Sequence, residues 1–510
     1  MKDQFLTYFS WQFFKSEVIS VWLRAPQQFI QAISNIIVTL LGLTGAYYHF
    51  KKNKHSFAYF FSFFFWASIA MVFVMNLSDT EVRDRDYFFV TAYNFWTVWM
   101  GIGSLALVSY FKEKVKILAP IMLIIVIALP AINLASQYHI HDRSREFIAL
   151  DYGLNILNSL EENAIIFTNG DNDTFPVWYA QAVHDPNAVE YVHKARDVYP
   201  TSKTKADIER AMKFKNFECK GVRKDVTVAN LSLLNTPWYI KQLRDNEGVE
   251  FNIPDSHIDL CQDSPTSALY PRQLPESIRI RIKGVDPEDS FTVTYKKGEV
   301  LYIKDLATIQ IIRDNYGKRP IYFAVTVSGT IGFHDHLRNE GMVDRIVSTK
   351  GSEQYDIERL TTNIDSIYSY RGIFDDTLYK DANMMRLLNN YGAAYMRTSR
   401  YYHTRDNFDE AILYMEKAVK FIENKKRFYP ALSQLYVEAA FNLIENKKYE
   451  LAFPFFDKAI HYNRKDTNLA LYIYQASILA ELPEKGIEYL EKIFPYQDST
   501  IVKKYINKLR

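Results

Sequence analysis

At 510 residues the chain is too long for one ordinary domain, and its 61 basic and 59 acidic residues leave a net charge of +2. That balance excludes the strongly basic surface by which proteins hold nucleic acid, so no nucleic-acid partner is expected. Composition splits the chain: before about residue 137 Phe, Ile, Leu, Val and Trp dominate, and the remainder is an ordinary soluble mixture rich in Tyr and Lys. The first part suits lipid and the second suits water.

In chain order, residues 1–28 carry Phe5, Tyr8, Phe9, Trp11, Phe13 and Phe14 with few charges, the pattern of an interfacial segment. The region 29–137 holds four apolar stretches, Phe29–Phe50, Phe57–Asn76, Phe88–Tyr110 and Ile117–Ser136. Each approaches the roughly 20 residues of helix that cross a bilayer. Lys51, Lys52, Lys54 and His55 follow the first stretch, and Lys112, Lys114 and Lys116 follow the third. Positive short loops lie on the cytoplasmic side, which places the N-terminus, Leu77–Tyr87 and everything from Gln137 on the other face. An outside N-terminus without a signal peptide predicts that the chain is the later part of a larger membrane protein. Cys219 and Cys261 both fall in the outer region, where disulfides form; a bridge and two free thiols are equally open.

Residues 138–350 read as an α/β domain. Phe147, Leu150, Leu154 and Leu157 mark an amphipathic helix, Ala164–Phe167 a buried strand, and Val177–Val183 a helix. Between strand and helix lies the turn Thr168–Pro176, with Asp173 or Thr174 as cap and Pro176 in the first helical turn. The design repeats: the strand Val226–Leu234 meets Asn235, Thr236 as cap, and Pro237 ahead of Trp238 and Tyr239. Alternating strands and helices predict a parallel sheet with both turns at one edge, where ligands of open α/β sheets collect. His184–Lys220 is a polar insertion. Ser277–Lys283 and Phe291–Tyr295 alternate as strands, Leu306, Ile309 and Ile312 mark a helix closed by Gly317, and Ile321–Val327 is expected to end the sheet. Gly329–Gly341 reads as a loop followed by a short helix.

A linker, 351–380, then precedes helical repeats over 381–510. NFDEAILYMEKAV at Asn407–Val419 aligns with KYELAFPFFDKAI at Lys448–Ile460, and a weaker copy follows at Lys485–Phe494. Ala411 and Ala418 match Ala452 and Ala459, small residues that let paired helices pack closely in a tetratricopeptide-like array. The expected architecture is a multi-domain α-helical membrane protein: four transmembrane helices, a soluble α/β domain and a C-terminal α-helical tetratricopeptide-like array.

Two constellations carry candidate chemistry. Asp171 and Asp173 form a D-x-D, a spacing that can hold a divalent metal. A capped turn explains Asp173 without one, so no metal is assigned. A ligand or acceptor turn made by Asn169, Asp171, Asn172, Asp173, Asn235 and Thr236 and a plain hydrogen-bonded turn both stay open. In the loop TEVRDRDYFF, Arg83 and Arg85 can hold the phosphate of a lipid bidentately. Glu81, Asp84 and Asp86 beside them are candidate bases toward a hydroxyl, or neutralise the arginines. His334 and His336, and His139, His141 and Asp142, lack a marked third metal ligand.

EVRDRDYFF after a membrane span, then FTNGDNDTFPVWYAQ, GVRKDVTVANLSLLNTPWYIKQL and RPIYFAVTV, ahead of tetratricopeptide-like repeats, resemble a family of large bacterial membrane proteins with a long-uncharacterised domain. Its members are similar to GT-C type protein O-mannosyltransferases, and the resemblance covers nearly the whole chain. It implies the C-terminal half or subunit of an integral-membrane glycosyltransferase that moves a sugar from a polyprenyl-phosphate carrier to Ser or Thr of exported proteins. No cofactor beyond that donor is implied. Family members usually begin with a longer multi-span half, whose first outer loop holds the catalytic acid in GT-C enzymes; a multi-span membrane partner would supply it here. Arg83 and Arg85 would hold the carrier phosphate, and the repeats would bind exported polypeptide. The implied location is the inner membrane, with N-terminus and large C-terminal region in the periplasm. The alternative is a non-catalytic membrane-anchored tetratricopeptide scaffold of an envelope assembly or export complex.

Overall fold

The computed structural model describes residues 16–75, 86–184, 221–349, 354–422 and 424–510. They divide into two compact units, 1–145 and 146–510, each with its own packing. The N-terminal segment expected to be interfacial is described only from Ser16, which opens helix α1 (Ser16–Leu23).

In the first unit, α2 (Gln27–Lys52) turns at Asn53 into α3 (Lys54–Phe65), which runs on through a π-helical turn, Trp66–Ala70, to Met75. The side chain of Asn53 accepts from the Ser56 amide at 3.0 Å, so this short turn caps the second helix directly. Helices α4 (Val90–Lys114) and α5 (Ala119–His141) complete the unit. Gln27–Lys52, Lys54–Val74 and Lys116–His141 are long and apolar enough to cross a membrane. Helix α4, the expected third span, is as long but less apolar, because its packed face consists of Tyr93, Trp96, Trp99 and Gly103.

Close approach of α2 and α4 explains that composition. A methyl group on Gly45 would lie 1.7 Å from the Trp99 carbonyl oxygen, and one on Gly103 would lie 2.1 Å from that of Leu41. The indoles sit where the backbones nearly touch: Trp96 donates to the Val38 carbonyl at 3.1 Å, and Trp99 packs among Phe57, Phe60 and Phe64. Small residues that admit close backbone contact hold helices together where apolar surroundings supply no hydrophobic drive.

The second unit opens with α6 (Ile148–Asn158) and strand β1 (Ile165–Thr168), followed by α7 (Asp171–Ala182). Strand β2 (Thr227–Asn230) and α8 (Pro237–Glu247) repeat the pattern. A separate antiparallel hairpin, β3 (Ile278–Ile282) and β4 (Phe291–Tyr295), precedes α9 (Ile303–Asn315) and β5 (Ile321–Ala324). Contrary to expectation, the sheet continues beyond β5. Gly329–Gly341 contains only a 3-10 turn at His334–His336, then β6 (Leu337–Asn339), which pairs antiparallel with β7 (Val343–Ile346). The strand order is β2-β1-β5-β7-β6, parallel over the first three and antiparallel thereafter. Gly341, at φ 111°, makes the turn between the last two strands.

The stretch read as a linker contributes α10 (Ile357–Thr362) and buries Leu360, Ile364, Tyr368, Ile373 and Leu378 in the same core as the sheet. Paired helices follow: α11 (Ala382–His403) with α12 (Phe408–Lys420), α13 (Tyr429–Glu445) with α14 (Tyr449–Asn463), and α15 (Leu469–Leu479) with α16 (Pro483–Ile493), closed by α17 (Ser499–Leu509). Ala411, Ala418, Ala452 and Ala459 are buried, as the repeat pattern requires.

Replacing Gly45 by alanine is expected to lower the thermal midpoint of the detergent-solubilised chain, whereas Gly101→Ala, where an added methyl meets open space, leaves it unchanged or slightly raised. Equal shifts for the two variants would contradict the α2–α4 contact.

Candidate functional site

Strand β1 is flanked by β2 on one side and β5 on the other, so the chain order reverses beside β1. Such a switch point, at the carboxyl ends of parallel strands, is where open α/β sheets form their ligand crevice. The turn Asn169–Asp173 leaves β1 there, and Thr326 leaves β5.

The turn is committed to its own backbone. Asp173 accepts from the amides of Asn169 and Gly170, each at 2.9 Å, and from the hydroxyl of Thr326. The helix therefore begins at Asp171, earlier than its hydrophobic spacing implies: Asp173 reaches back from the third helical position and satisfies free amides ahead of the first turn. Both carboxylate oxygens are thereby used inside the protein, and the bond to Thr326 spans β1 and β5 across the crevice. Thr168 and Thr174 share a 2.7 Å hydroxyl contact, and Asn230 at the end of β2 donates to Thr174 at 2.8 Å.

The second turn is similarly knit. Asn235 donates to the Ser232 carbonyl at 3.1 Å and accepts from the Lys304 amide at 3.2 Å. Thr236 donates its hydroxyl to the Leu233 carbonyl at 2.7 Å, and so does not cap α8 with its side chain as expected. Ser232 donates to the Asn169 carbonyl at 3.1 Å, which ties the two turns together. What faces solvent is the rim: Asn169, Asp171 and Asn172, with the exposed rings of Phe175, Tyr179 and Trp238.

Of the charged loop, Glu81, Arg83, Asp84 and Arg85 lie outside the described residues; Asp86 is described only as the start of the 3-10 turn Asp86–Phe89. Cys261 is buried as a free thiol, and Cys219 lies outside the described residues. His336 is buried and stacks on Phe291 with ring centroids 4.1 Å apart, which accounts for one of the two neighbouring histidines as packing. Among the described residues no group of three or more His, Cys, Asp or Glu side chains converges as a metal site.

Sequence reasoning missed a charged cluster on β6 and β7. Glu340 is fully buried, 3.1 Å from the Arg359 guanidinium and 3.6 Å from that of Arg338. Burial pushes its carboxyl up to about 7, against the pull of Arg359, Arg345 and Arg338. Glu161 grips Arg345 with both oxygens, at 2.6 and 2.9 Å, and also binds Arg359. The signal was present in LRNEGMVDRI, two short alternating runs about a glycine, which is a hairpin pattern.

The family model described as TMEM260-associated domain 2 matches residues 149–187 and 281–366. Parts of the α/β domain match this family model. The matched segments run from α6 to α7 and from β3 to α10, so they take in the Asp173 turn, β5, and the β6–β7 hairpin, about a quarter of the chain. No curated protein and no solved structure matches the chain significantly. The chain is thus a largely helical protein with apolar helices near its N-terminus that are long enough to cross a membrane, an α/β domain that this family model matches in part, and a helical repeat array.

Asp173→Ala leaves two amides and a part-buried hydroxyl without their acceptor and is expected to cost about 1–3 kcal/mol, read as a lowered unfolding midpoint. Asp171→Asn and Asn172→Ala, on the exposed rim, should leave the midpoint within experimental error. A rim variant as destabilising as Asp173→Ala would contradict this division of the turn.

Proposed function

We propose that the chain is a non-catalytic, membrane-anchored platform that binds polypeptide through its repeats, as part of an assembly at the outer face of the membrane. The observation that carries this reading is the commitment of the Asp173 carboxylate. The acid best placed for chemistry at the switch point spends both oxygens on its own turn and on Thr326. The repeats support the same reading, because stacked helical pairs offer a long, stiff binding surface. An exported polypeptide and a multi-span membrane protein are the partners proposed, with the inner membrane as location and the α/β and repeat regions in the periplasm.

A second reading rests on the ordered motifs around TEVRDRDYFF. In it the chain is a component of a glycosyltransferase that uses a polyprenyl-phosphate sugar as donor. Arg83 and Arg85 would hold the carrier phosphate bidentately. Glu81, Asp84 or Asp86 would accept the proton of a Ser or Thr hydroxyl, and the rim of Asn169, Asp171 and Asn172 with Asn235 and Thr236 would border the acceptor path.

The double variant Arg83→Ala, Arg85→Ala separates the two. At equal protein level, the platform reading predicts an unchanged profile of exported glycoproteins and unchanged cross-links, by mass spectrometry, from the repeats to a second polypeptide. Loss of glycoproteins with cross-links intact would overturn it in favour of the transferase reading.

A further inference from the structure

We propose that the carboxyl edge of the parallel strands docks on the lipid bilayer, with Phe175, Trp238 and Tyr302 entering the headgroup region. The three rings come from three helices. Phe175 stands on the second turn of α7, Trp238 on the first turn of α8, and Tyr302 immediately ahead of α9. Each is more than half exposed, and Tyr179 extends the same face of α7 one turn further.

Hydrogen bonds bring all three helix starts to one edge. Helices α7 and α8 follow the carboxyl ends of the parallel strands β1 and β2, and the Ser232 hydroxyl joins their turns by donating to the Asn169 carbonyl at 3.1 Å. The Lys304 amide, in the first turn of α9, donates to Asn235 at 3.2 Å, which brings Tyr302 to the same rim. Large rings gathered from three elements and left facing water mark an interaction surface.

The path of the chain identifies what covers it. Helix α5, long and apolar enough to cross a membrane, ends at His141, and α6 begins at Ile148. The connection, residues 142–147, spans at most roughly 25 Å. The end of α6 lies where the strands begin, because the Arg223 guanidinium ahead of β2 binds the Leu157 and Glu161 carbonyls. Gly153, in the middle of α6, lies against the Pro176 carbonyl of α7. The start of α6 therefore points to the carboxyl edge, and the chain arriving from α5 enters the domain on the side that carries the exposed rings. Trp and Tyr favour a bilayer interface because the ring is apolar while its N–H or O–H stays wet. Asp171 and Lys304 give the rim charges of both signs, so ring insertion rather than attraction to anionic headgroups drives the docking. The inference rests on the membrane anchorage of the platform reading and adds to it which edge of the domain meets lipid.

The test uses the full chain in phosphatidylcholine nanodiscs whose lipids carry a nitroxide quencher just below the headgroup. A bimane fluorophore is attached through Trp238→Cys, Tyr302→Cys or, as control, Val285→Cys, each in a Cys219→Ser background; Cys261 is buried away from the label. Val285 is exposed beside Gly317, which precedes β5 at the opposite edge. Quenching several-fold stronger at the Trp238 and Tyr302 positions than at Val285, unchanged in high salt and reduced at Tyr302 when Phe175→Ser and Tyr179→Ser are added, supports docking through the rings. Equal quenching at the three positions, a contrast lost in high salt, or one that survives Phe175→Ser and Tyr179→Ser overturns it. Weak quenching at both rim positions with cross-links from them to a second polypeptide overturns it in favour of a protein partner. Co-elution of the chain with lipid reads the anchorage separately, so a chain that leaves the discs overturns that reading and a chain that stays without the contrast overturns only this one.

Discussion

A buried carboxylate on α6 joins the two halves of the second unit. Asp151 has no exposed surface, and it is held by the guanidinium of Arg371, by the Arg371 amide at 2.9 Å and by the Ser369 hydroxyl at 3.0 Å. One turn later Asn155 bonds Ser369 in both directions, each at 2.9 Å, and donates to the hydroxyl of Tyr391 on α11 at 2.7 Å. Ser159 extends the line to Tyr368 at 2.7 Å. Asp151 is enclosed while the Arg371 side chain stays exposed, so loss of Arg371 leaves a buried carboxylate without its countercharge, whereas loss of Asp151 leaves the guanidinium to water. Helix α6 therefore packs at once against the sheet, through its neighbour α7, and against the first repeat helix. At Gly153 an added methyl would lie 2.4 Å from the Pro176 carbonyl.

The consequence is a boundary displaced from where sequence puts it. One hydrophobic core runs from Ile148 to Phe421 and includes Tyr391, Ala394 and Tyr414 of the first repeat, while a second core begins within that repeat and runs to Ile506. A similar device ties the stretch 351–380 to the first repeat and the second repeat to the third. Asp365 accepts from Tyr414 at 2.6 Å and Lys417 at 2.8 Å, and Asp457 accepts from Tyr489 at 2.8 Å and Lys492 at 2.9 Å. The middle copy has Phe455 where the others have tyrosine; there Glu416 receives the hydroxyls of Tyr436 and Tyr462 instead. An acid of one layer bonded to the next makes the array a continuation of the α/β domain, as a binding platform requires.

Sequence legibility followed the range of the interaction. The apolar spans, β1, β2, β5 and the three repeat copies were readable because hydrophobic period and local turn chemistry define them. The start of α7 was displaced because Asp173 acts backward on Asn169 and Gly170, which hydrophobic spacing does not register. The β6–β7 hairpin was missed because its charged residues, Arg338, Glu340 and Arg345, read as surface although they are wholly or mostly enclosed. Glu340 is held by arginines on β6, β7 and α10, and no spacing rule joins those positions. The opposition of Arg338 and Arg345, with Glu340 within ion-pair distance of both, became visible only with the register of the two strands.

The central claim is that the α/β domain and the first repeat form a single folded body around Asp151. Hydrogen exchange of the full chain, read by mass spectrometry, tests it in wild type and in Asp151→Ala. The account predicts that α6, α7, α11 and α12 lose protection together while α14 to α17, in the second core, keep theirs. Loss confined to α6, with α11 and α12 as protected as in wild type, would contradict it.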